Sequence, residues 1–546
     1  MPPIGIVHGY GLSGAGSNLW TRSIVRALCQ LGHTVHLVCQ ESRPEVYDFI
    51  ARAYAYDASG APEELFSRDA PYSGRCIVHR PQLTVLPAYV RPRQASKYVF
   101  YIPDLDDAVI EEYVQRNARV LRHVAREHGV AGFSVNHVVL SSVAAQRAHA
   151  EGGAPYAVLP HGSAIEYVAK KDERMMRAAS EALAGAARVF ALNGEMEGRL
   201  RDVFGHVPGL EAKTSRMPVG VDTSQFDPAA PEERRQRIER LLALVRDLPR
   251  GRTAAQEEDL RGRLHSTLTG EPLAQALRED SDYTSSAPDA DLERKLSGID
   301  WEHARIVVYV GRLIGAKGAP MPVVAFPEVL ARVPEARLIV AGTGGLREPL
   351  EALVWALANG EGDLAREIAR MGHALEGGSM EAGPFEHVVA YFDRLEARGE
   401  WEGYLAHARE HLTPEHVVFT GFMDHGPLSQ LYAVADVGVF PSVVKEASPL
   451  VVPEAAASGT FPIGTDHAGM GDSLRTLAEA LPEDARRLLT VRTAPEHAVA
   501  DMVEHVTEAL HEPGRWTAAL REAAVTRYDW QTIAARLAEA LTTMDA

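Results

Sequence analysis

Cysteine is scarce: Cys29, Cys39 and Cys76 are the only three in 546 residues. That supply argues against a disulfide framework or a zinc cluster and fits a reducing cytosol. Long apolar runs are missing as well. No stretch reaches the roughly 18 residues that a bilayer-spanning helix needs. The first residues, MPPIGIVHGYGLSG, lack the basic start and long apolar core of a signal peptide and read as a strand and a turn. The expected compartment is therefore the cytoplasm. Positive charge is in deficit, with 56 Lys and Arg against 74 Asp and Glu, a formal net charge of −18. That sign repels phosphate backbones and argues against a general nucleic-acid binder, but not against a small basic pocket for one phosphorylated ligand. What is present is the ordinary globular mix, 46% hydrophobic and 24% charged. A disordered chain and a collagen are thereby excluded, and the length suits about three to four domain-sized units.

The pattern along the chain is α/β. Residues 4–8 form a short apolar run, 9–16 a glycine-rich turn, and Leu19, Ile24, Leu28 and Leu31 recur at roughly helical spacing before Gly32, which ends a helix as a C-cap would. Residues 34–39 are a second β-branched run, which completes one βαβ unit, the building block of parallel sheets. Further strands are expected at 98–102, 138–141, 156–159 and 188–191, with a helix over 110–128. Residues 229–300 turn charged and amphipathic, then polar, like an inserted helical segment or a linker. A second series follows, with strands at 306–310, 338–341, 417–420, 437–441 and 461–464, interrupted by a surface insertion at 351–412. The expected architecture is two Rossmann-like parallel-sheet domains, 1–225 and 301–520, facing a central cleft, with a helical segment at 226–300 and a closing amphipathic helix in 521–546. Ligands in such sheets sit outside the carboxyl ends of the strands.

Two clusters of charge follow strands of the second half. Glu446 and Glu454 stand seven residues apart in KEASPLVVPEAAASG, the first in a loop after a strand and the second near the start of a helix. The backbone N–H groups and helix dipole there favour an anion. Carboxylates beside such a site suit the vicinal hydroxyls of a ribose or hexose; two unrelated surface glutamates are the competing reading. Arg312 and Lys317, in GRLIGAKG, are two cations at a strand's carboxyl end, placed to neutralise a diphosphate or simply solvated on a loop. Positive charge for a diphosphate and negative charge for diols together describe a nucleotide-sugar pocket. Two other patterns compete. Gly9, Gly11 and Gly14 spell GxGxxG after a strand, with Glu41 ending the second strand, a dinucleotide pattern that suggests an NAD-dependent oxidoreductase. Against it, the helix starts late, after Gly16, and Glu41 stands further on than the usual spacing. Asp104 and Asp106 mimic a metal-binding D-x-D but suit a helix start, where acids oppose the dipole.

In order, GRLIGAKG, LIVAGTG, VVFTGFMDHGPLSQLYAVADVGVFPS and EASPLVVPEAAASG resemble the C-terminal half of the retaining family 4 glycosyltransferases, which have the GT-B fold and an E-x7-E motif. GAGSNLWTRSIVRALCQLGHTVHLV, PHGSAIEY, MPVGVDTSQFDP and RYDWQTIAARL are similar to that family's glycine loop, mid-region and crossing helix, so that the resemblance covers about two thirds of the chain. It implies a hexosyltransferase that takes a nucleotide sugar as co-substrate and uses neither metal nor other cofactor. Arg312 and Lys317 would hold the diphosphate, Glu446 the sugar hydroxyls and Glu454 the ribose. The N–H groups of Leu450 and Val451 would face phosphate or sugar. Gly342 and Gly344 would let the chain approach the nucleotide, and the Phe422–Met423 backbone would meet the base. His161 would bond the donor sugar or assist the leaving group, Gly16 would approach the diphosphate or acceptor, and Ser163 and Glu166 are candidate acceptor contacts. Three departures from the family pattern are Pro449 in place of a glycine between the glutamates, Pro453 before Glu454, and Ala15–Gly16 in place of a double glycine. The donor base and hexose, for instance in a UDP- or GDP-sugar, are not readable, nor is the acceptor, for which a small soluble molecule or glycan is expected. The alternatives are a GT-B epimerase or hydrolase and the NAD-dependent oxidoreductase. The segments 229–300 and 351–412 are candidates for a lid or a homo-oligomer contact.

Overall fold

The computed structural model describes residues 1–14, 16–91, 97–278, 283–377 and 382–544. The β-branched runs and amphipathic stretches fold into two units, Met1–Gly220 with Arg527–Ala546, and Val221–Thr526. Ala15 of the glycine loop lies outside the described residues, as do 279–282 and 378–381 of the two inserted segments.

Unit 1 holds β1 (Ile4–Val7), β2 (Thr34–Val38), β3 (Ile50–Tyr56), β4 (Pro62–Ser67), β5 (Arg75–Pro81), β6 (Leu86–Ala88), β7 (Val99–Tyr101), β8 (Phe133–Asn136), β9 (Tyr156–Leu159), β10 (Arg188–Ala191) and β11 (Thr214–Arg216). Nine of these strands form one sheet in the order β11-β10-β9-β8-β1-β2-β5-β3-β4, in which only the β3–β4 pair is antiparallel. Of the strand expectations, one is met outside this sheet and one is not met. The 98–102 strand is β7, which pairs with β6 outside this sheet. The 138–141 strand is absent; β8 ends at Asn136, and the apolar run Val138–Leu140 is a buried loop with positive φ at His137 and Leu140 before a helix starts at Ser141. Apolar composition marked burial there, and burial alone does not separate a strand from a loop.

One face of the sheet is covered by the helix Ser17–Gln30, through Trp20, Ile24 and Leu28, and by the helix Trp530–Thr542, through Ile533, Leu537 and Leu541. Each of these large side chains contributes about 1.5–3 kcal/mol on full burial. Asp529 starts the final helix, its carboxylate accepting from the N–H groups of Gln531 and Thr532. The other face carries the helices Asp107–His128, Ser141–Ala150 and Glu173–Gly185.

Unit 2 has a wholly parallel sheet of β12 (Arg305–Val310), β13 (Ala336–Ala341), β14 (Val417–Gly421), β15 (Val437–Phe440), β16 (Phe461–Thr465) and β17 (Thr490–Val491), in the order β14-β13-β12-β15-β16-β17. The segment at 229–300 supplies helices Arg234–Val245, Ala254–Arg263, Gly270–Arg278 and Leu292–Ser297 to this unit. A buried cluster fixes it: Arg347, 1% exposed, donates to Asp289 (2.7 Å) and Glu351 (2.7 Å), and Arg252 donates to Glu351 (2.8 Å) and Glu348 (3.2 Å). Nor do residues 351–412 form a surface appendage. Their helices bury Leu364, Ile368, Phe392 and Tyr404, and the Tyr404 hydroxyl donates to Val324 O (2.8 Å). Their apolar faces make them part of the core of unit 2.

Candidate functional site

Chain connectivity reverses direction between β12 and β15: β13 and β14 lie to one side of β12, and β16 and β17 beyond β15. The crevice outside strand ends at such a reversal is where α/β sheets bind ligands. The loops leaving these two strands carry Arg312, Lys317 and Glu446. They are laced together, Val443 N–H donating to Ala316 O (3.1 Å). Gly318 makes this approach feasible; its φ is +66°, and a Cβ there would stand 2.0 Å from Pro441 O. The consequence is a direct ion pair, Lys317 Nζ donating to Glu446 Oε2 at 2.5 Å, with the side chains 31% and 16% exposed. These two residues are 129 positions apart in the chain.

Arg312 is exposed and, among the described residues, has no carboxylate partner. It lines a cavity of about 830 Å³ together with Gly311, Gly342–Gly345, Phe422, Met423 and Leu428. Gly342 and Gly344 are required by the neighbouring loop itself: a Cβ on Gly342 would meet Gly311 O at 1.8 Å, and one on Gly344 would meet Leu313 O at 2.4 Å. The Phe422 side chain is 42% exposed, whereas its N–H donates to Ala287 O (3.0 Å). That backbone donor is therefore held by the helical segment. The same segment contributes Leu277, Tyr283, Ser285 and Ser286 to the cavity wall, and the second inserted segment contributes Leu375, Glu376 and Gly377. Glu376 also accepts from Gly315 N–H (2.8 Å), bracing the turn that bears Lys317. The sequence reading did not include these wall residues, since helical periodicity says nothing about what a helix end adjoins.

Leu450 is the N-cap of the short helix Val451–Ala457, in which Pro453 occupies an early position and Glu454 is buried. The Glu454 carboxylate lies 3.2 Å from His425 Nε2, at the start of the helix after β14. His425 is a further residue that the sequence reading missed.

Unit 1 has its own reversal, between β1 and β8. His8 follows β1, His137 follows β8 and His161 follows β9. His161 Nε2 lies 2.7 Å from Asn136 Oδ1, while Asn136 Nδ2 donates to Val7 O and Thr21 Oγ1. The amide oxygen is thus the acceptor, so His161 Nε2 carries the proton and Nδ1 keeps its lone pair. Burial, with His8 nearby, lowers the His161 pKa to about 3, so this ring is neutral at pH 7. His137 stacks on Tyr89 (4.0 Å between centroids) and lies tilted against His161 (4.6 Å), and among the described residues both its ring nitrogens are buried without a hydrogen bond. Gly16 is the N-cap of the first helix at φ +63°, with open space where a Cβ would be. Ser163 lies within the helix Gly162–Tyr167, and Glu166 pairs with Lys170 (2.7 Å) and approaches Arg199 (3.6 Å). In the GxGxxG loop, Glu41 accepts from Leu12 N–H (2.8 Å) and Arg43 N–H (2.8 Å). The acid that would bind a dinucleotide ribose instead closes the chain's own loop. Asp106 is the N-cap of the helix from Asp107, and Asp104 pairs with Arg91 (2.6 Å).

Residues 394–512, which contain Phe422, Glu446 and Glu454, match the family model described as Glycosyl transferases group 1. Sucrose-phosphate synthase of Thermosynechococcus elongatus aligns over 99% of this chain and 98% of its own, with a TM-score of 0.50 at 17% identity. The catalytic domain of starch synthase IV from Arabidopsis thaliana, bound to ADP and acarbose, aligns over 99% of each chain, with a TM-score of 0.51 at 13% identity. The Anabaena protein HepE in complex with UDP aligns over 100% of each chain, with a TM-score of 0.50 at 14% identity.

The fold is that of the GT-B glycosyltransferases. No curated protein sequence matches the chain. A group 1 glycosyltransferase segment set in a GT-B fold makes this a glycosyltransferase-type enzyme. Among the described residues, no helix is long and apolar enough to cross a membrane.

Proposed function

We propose that the protein is a retaining hexosyltransferase that takes its sugar from a nucleoside diphosphate sugar. The observation that carries this reading is the placement of Arg312 and the Lys317–Glu446 pair on the two loops at the strand reversal, with the 830 Å³ cavity beside Arg312. A nucleotide would occupy this cavity: Arg312 and the backbone of residues 342–345 would meet the phosphates, while Tyr283, Phe422, Met423 and Leu428 offer an apolar wall to a base. The structure with ADP and that with UDP make these two nucleotides the first probes.

In the proposed reaction the bond between the anomeric carbon and the diphosphate oxygen breaks, and negative charge grows on the departing phosphate. Arg312 and Lys317 stabilise that charge, and such preorganised electrostatics is usually the largest catalytic contribution. Glu446, freed from Lys317 as phosphate takes its place, accepts hydrogen bonds from the sugar hydroxyls. Glu454, buried beside His425, is assigned to the ribose diol. The acceptor oxygen attacks the face from which phosphate leaves, and its proton passes to a phosphate oxygen, which preserves the anomeric configuration. His161, neutral, acts through the Nδ1 lone pair on a sugar hydroxyl rather than as a cation. Unit 1, with Gly16, Ser163 and Glu166 as further candidates, is assigned to the acceptor. The test is a screen of UDP, ADP and GDP by thermal shift, followed by the matching hexose donors with sugar acceptors and NMR of the product anomer. One nucleotide should stabilise the protein by about 2.7 kcal/mol at a hundred times its dissociation constant. Release of free sugar with every acceptor, or an inverted product, would reject the reading.

A further inference from the structure

Three histidines of unit 1 lie outside the machinery described above. His36 is in β2, His79 in β5, and His128 is the last residue of the helix Asp107–His128. In TVHLV and RCIVHRP the apolar neighbours Val35, Leu37 and Val78 pack on the opposite face of the sheet, beneath the helix Ser17–Gln30. Strand alternation therefore turns both imidazoles toward the helix that ends in His128. The ring of His36 stacks on that of His128 (4.4 Å between centroids), and His36 Nδ1 stands 2.9 Å from His79 Nε2. One nitrogen from each of the three rings falls within 4.8 Å of the others.

The geometry points to a transition-metal site formed by His36, His79 and His128, for which Zn²⁺ is the fitting ion. Imidazole nitrogens on tetrahedral zinc, with bonds of about 2.0 Å, lie roughly 3.3 Å apart. Two nitrogens are already near that spacing, and the third, on His128 at the helix end, lies within 4.8 Å of them. Three imidazoles leave the fourth position of a tetrahedral ion to water. A second layer is in place: the Tyr56 hydroxyl lies 2.8 Å from His79 Nδ1, so His79 can donate there while Nε2 faces the ion, the arrangement that fixes a ligating imidazole. Burial lowers the pKa of His36 to about 3 and that of His79 well below the usual value, so both rings are neutral, as ligands must be. The exposed Glu127 and the carbonyl end of the helix favour a cation here; Arg75, near His36, opposes it. Bound metal would clamp β2 and β5 to the helix, independently of sugar transfer.

The test uses the full chain, stripped with chelator and then titrated with Zn²⁺ by calorimetry and, in parallel, with Co²⁺ by visible absorption. One ion per chain should bind, with the d–d bands of a low-coordinate cobalt site. His128→Ala, at the end of its helix, should weaken binding by roughly a hundredfold while donor turnover stays at the parent value. His36→Gln should do the same to binding. His407 and His411, one turn apart on the helix Trp401–His411, are the rival chelating pair, and His411→Ala should leave the titration unchanged. Absence of stoichiometric binding, or binding that follows His411 and survives His128→Ala, would overturn the site.

Discussion

Replacing Lys317 by alanine isolates the charge at the centre of the proposed chemistry. Its ion pair with Glu446 is 31% and 16% exposed, so solvent screens it and its share of folding stability is at most about 1 kcal/mol. Thermal unfolding should therefore move by only a few degrees in a chain of this size. Its share of the reaction is larger. A preorganised donor aimed at developing negative charge is worth about 3–4 kcal/mol, and at 1.36 kcal/mol per factor of ten the loss of turnover is on the order of 100-fold to 1,000-fold. The assay is release of nucleoside diphosphate under saturating donor. Because Lys317 touches Glu446, a simple loss could mean that it only holds the glutamate. Measuring Lys317→Ala in a Glu446→Gln background separates the two roles. If Lys317 acts on the leaving phosphate, the second loss remains near 100-fold; if it only orients Glu446, the second loss falls to about one. Turnover of the single variant within about threefold of the parent would refute the assignment outright.

Gly318→Ala should cost about 2 kcal/mol or more and lower turnover, since the new Cβ meets Pro441 O at 2.0 Å and the backbone sits at φ +66°; an unchanged melting temperature would show that the two loops need not approach so closely. Acid should weaken unit 1 through His8, 1% exposed, whose pKa burial lowers from 6.5 to about 4. With the folded value below the unfolded one, the unfolded chain holds the extra proton, so stability is complete above pH 6.5 and falls toward pH 4 by up to about 1.4 kcal/mol per pH unit. Denaturant midpoints at pH 7, 6 and 5 should therefore decline, and less steeply in His8→Asn; identical slopes in the two proteins would remove His8 as the cause.

Why some of this was legible in the sequence and some was not comes down to the range of the interactions. Strands such as β1, β9, β10 and β12–β16 are short apolar runs bounded by polar turns, a pattern each segment carries within itself. Val138–Leu140 carries the same composition, yet its conformation is set by the packing of the loop after β8, with positive φ at His137 and Leu140, which no local pattern records. The helices of 351–412 have apolar faces, but only the surface of the helix Pro320–Arg332 that they meet decides that they are core. The same distinction runs through the site. Gly-rich loops and charged residues after strands can be placed from sequence alone, since a parallel sheet puts every such loop at one edge. Which charges meet depends on strand order. Only because β15 neighbours β12 rather than β14 does Lys317 reach Glu446. In the proposed phosphate site that adjacency gives the carboxylate a role when no donor is bound: it neutralises the lysine until an anion of higher charge displaces it. The exchange requires the lysine to release one oxyanion for another, so affinity for the free nucleoside diphosphate, which lacks the sugar that Glu446 is assigned to hold, should rise when Glu446 is replaced by glutamine, even as turnover of the sugar donor drops. A fall in affinity for the free diphosphate would mean that the pair is a structural tie and that the diphosphate is held elsewhere.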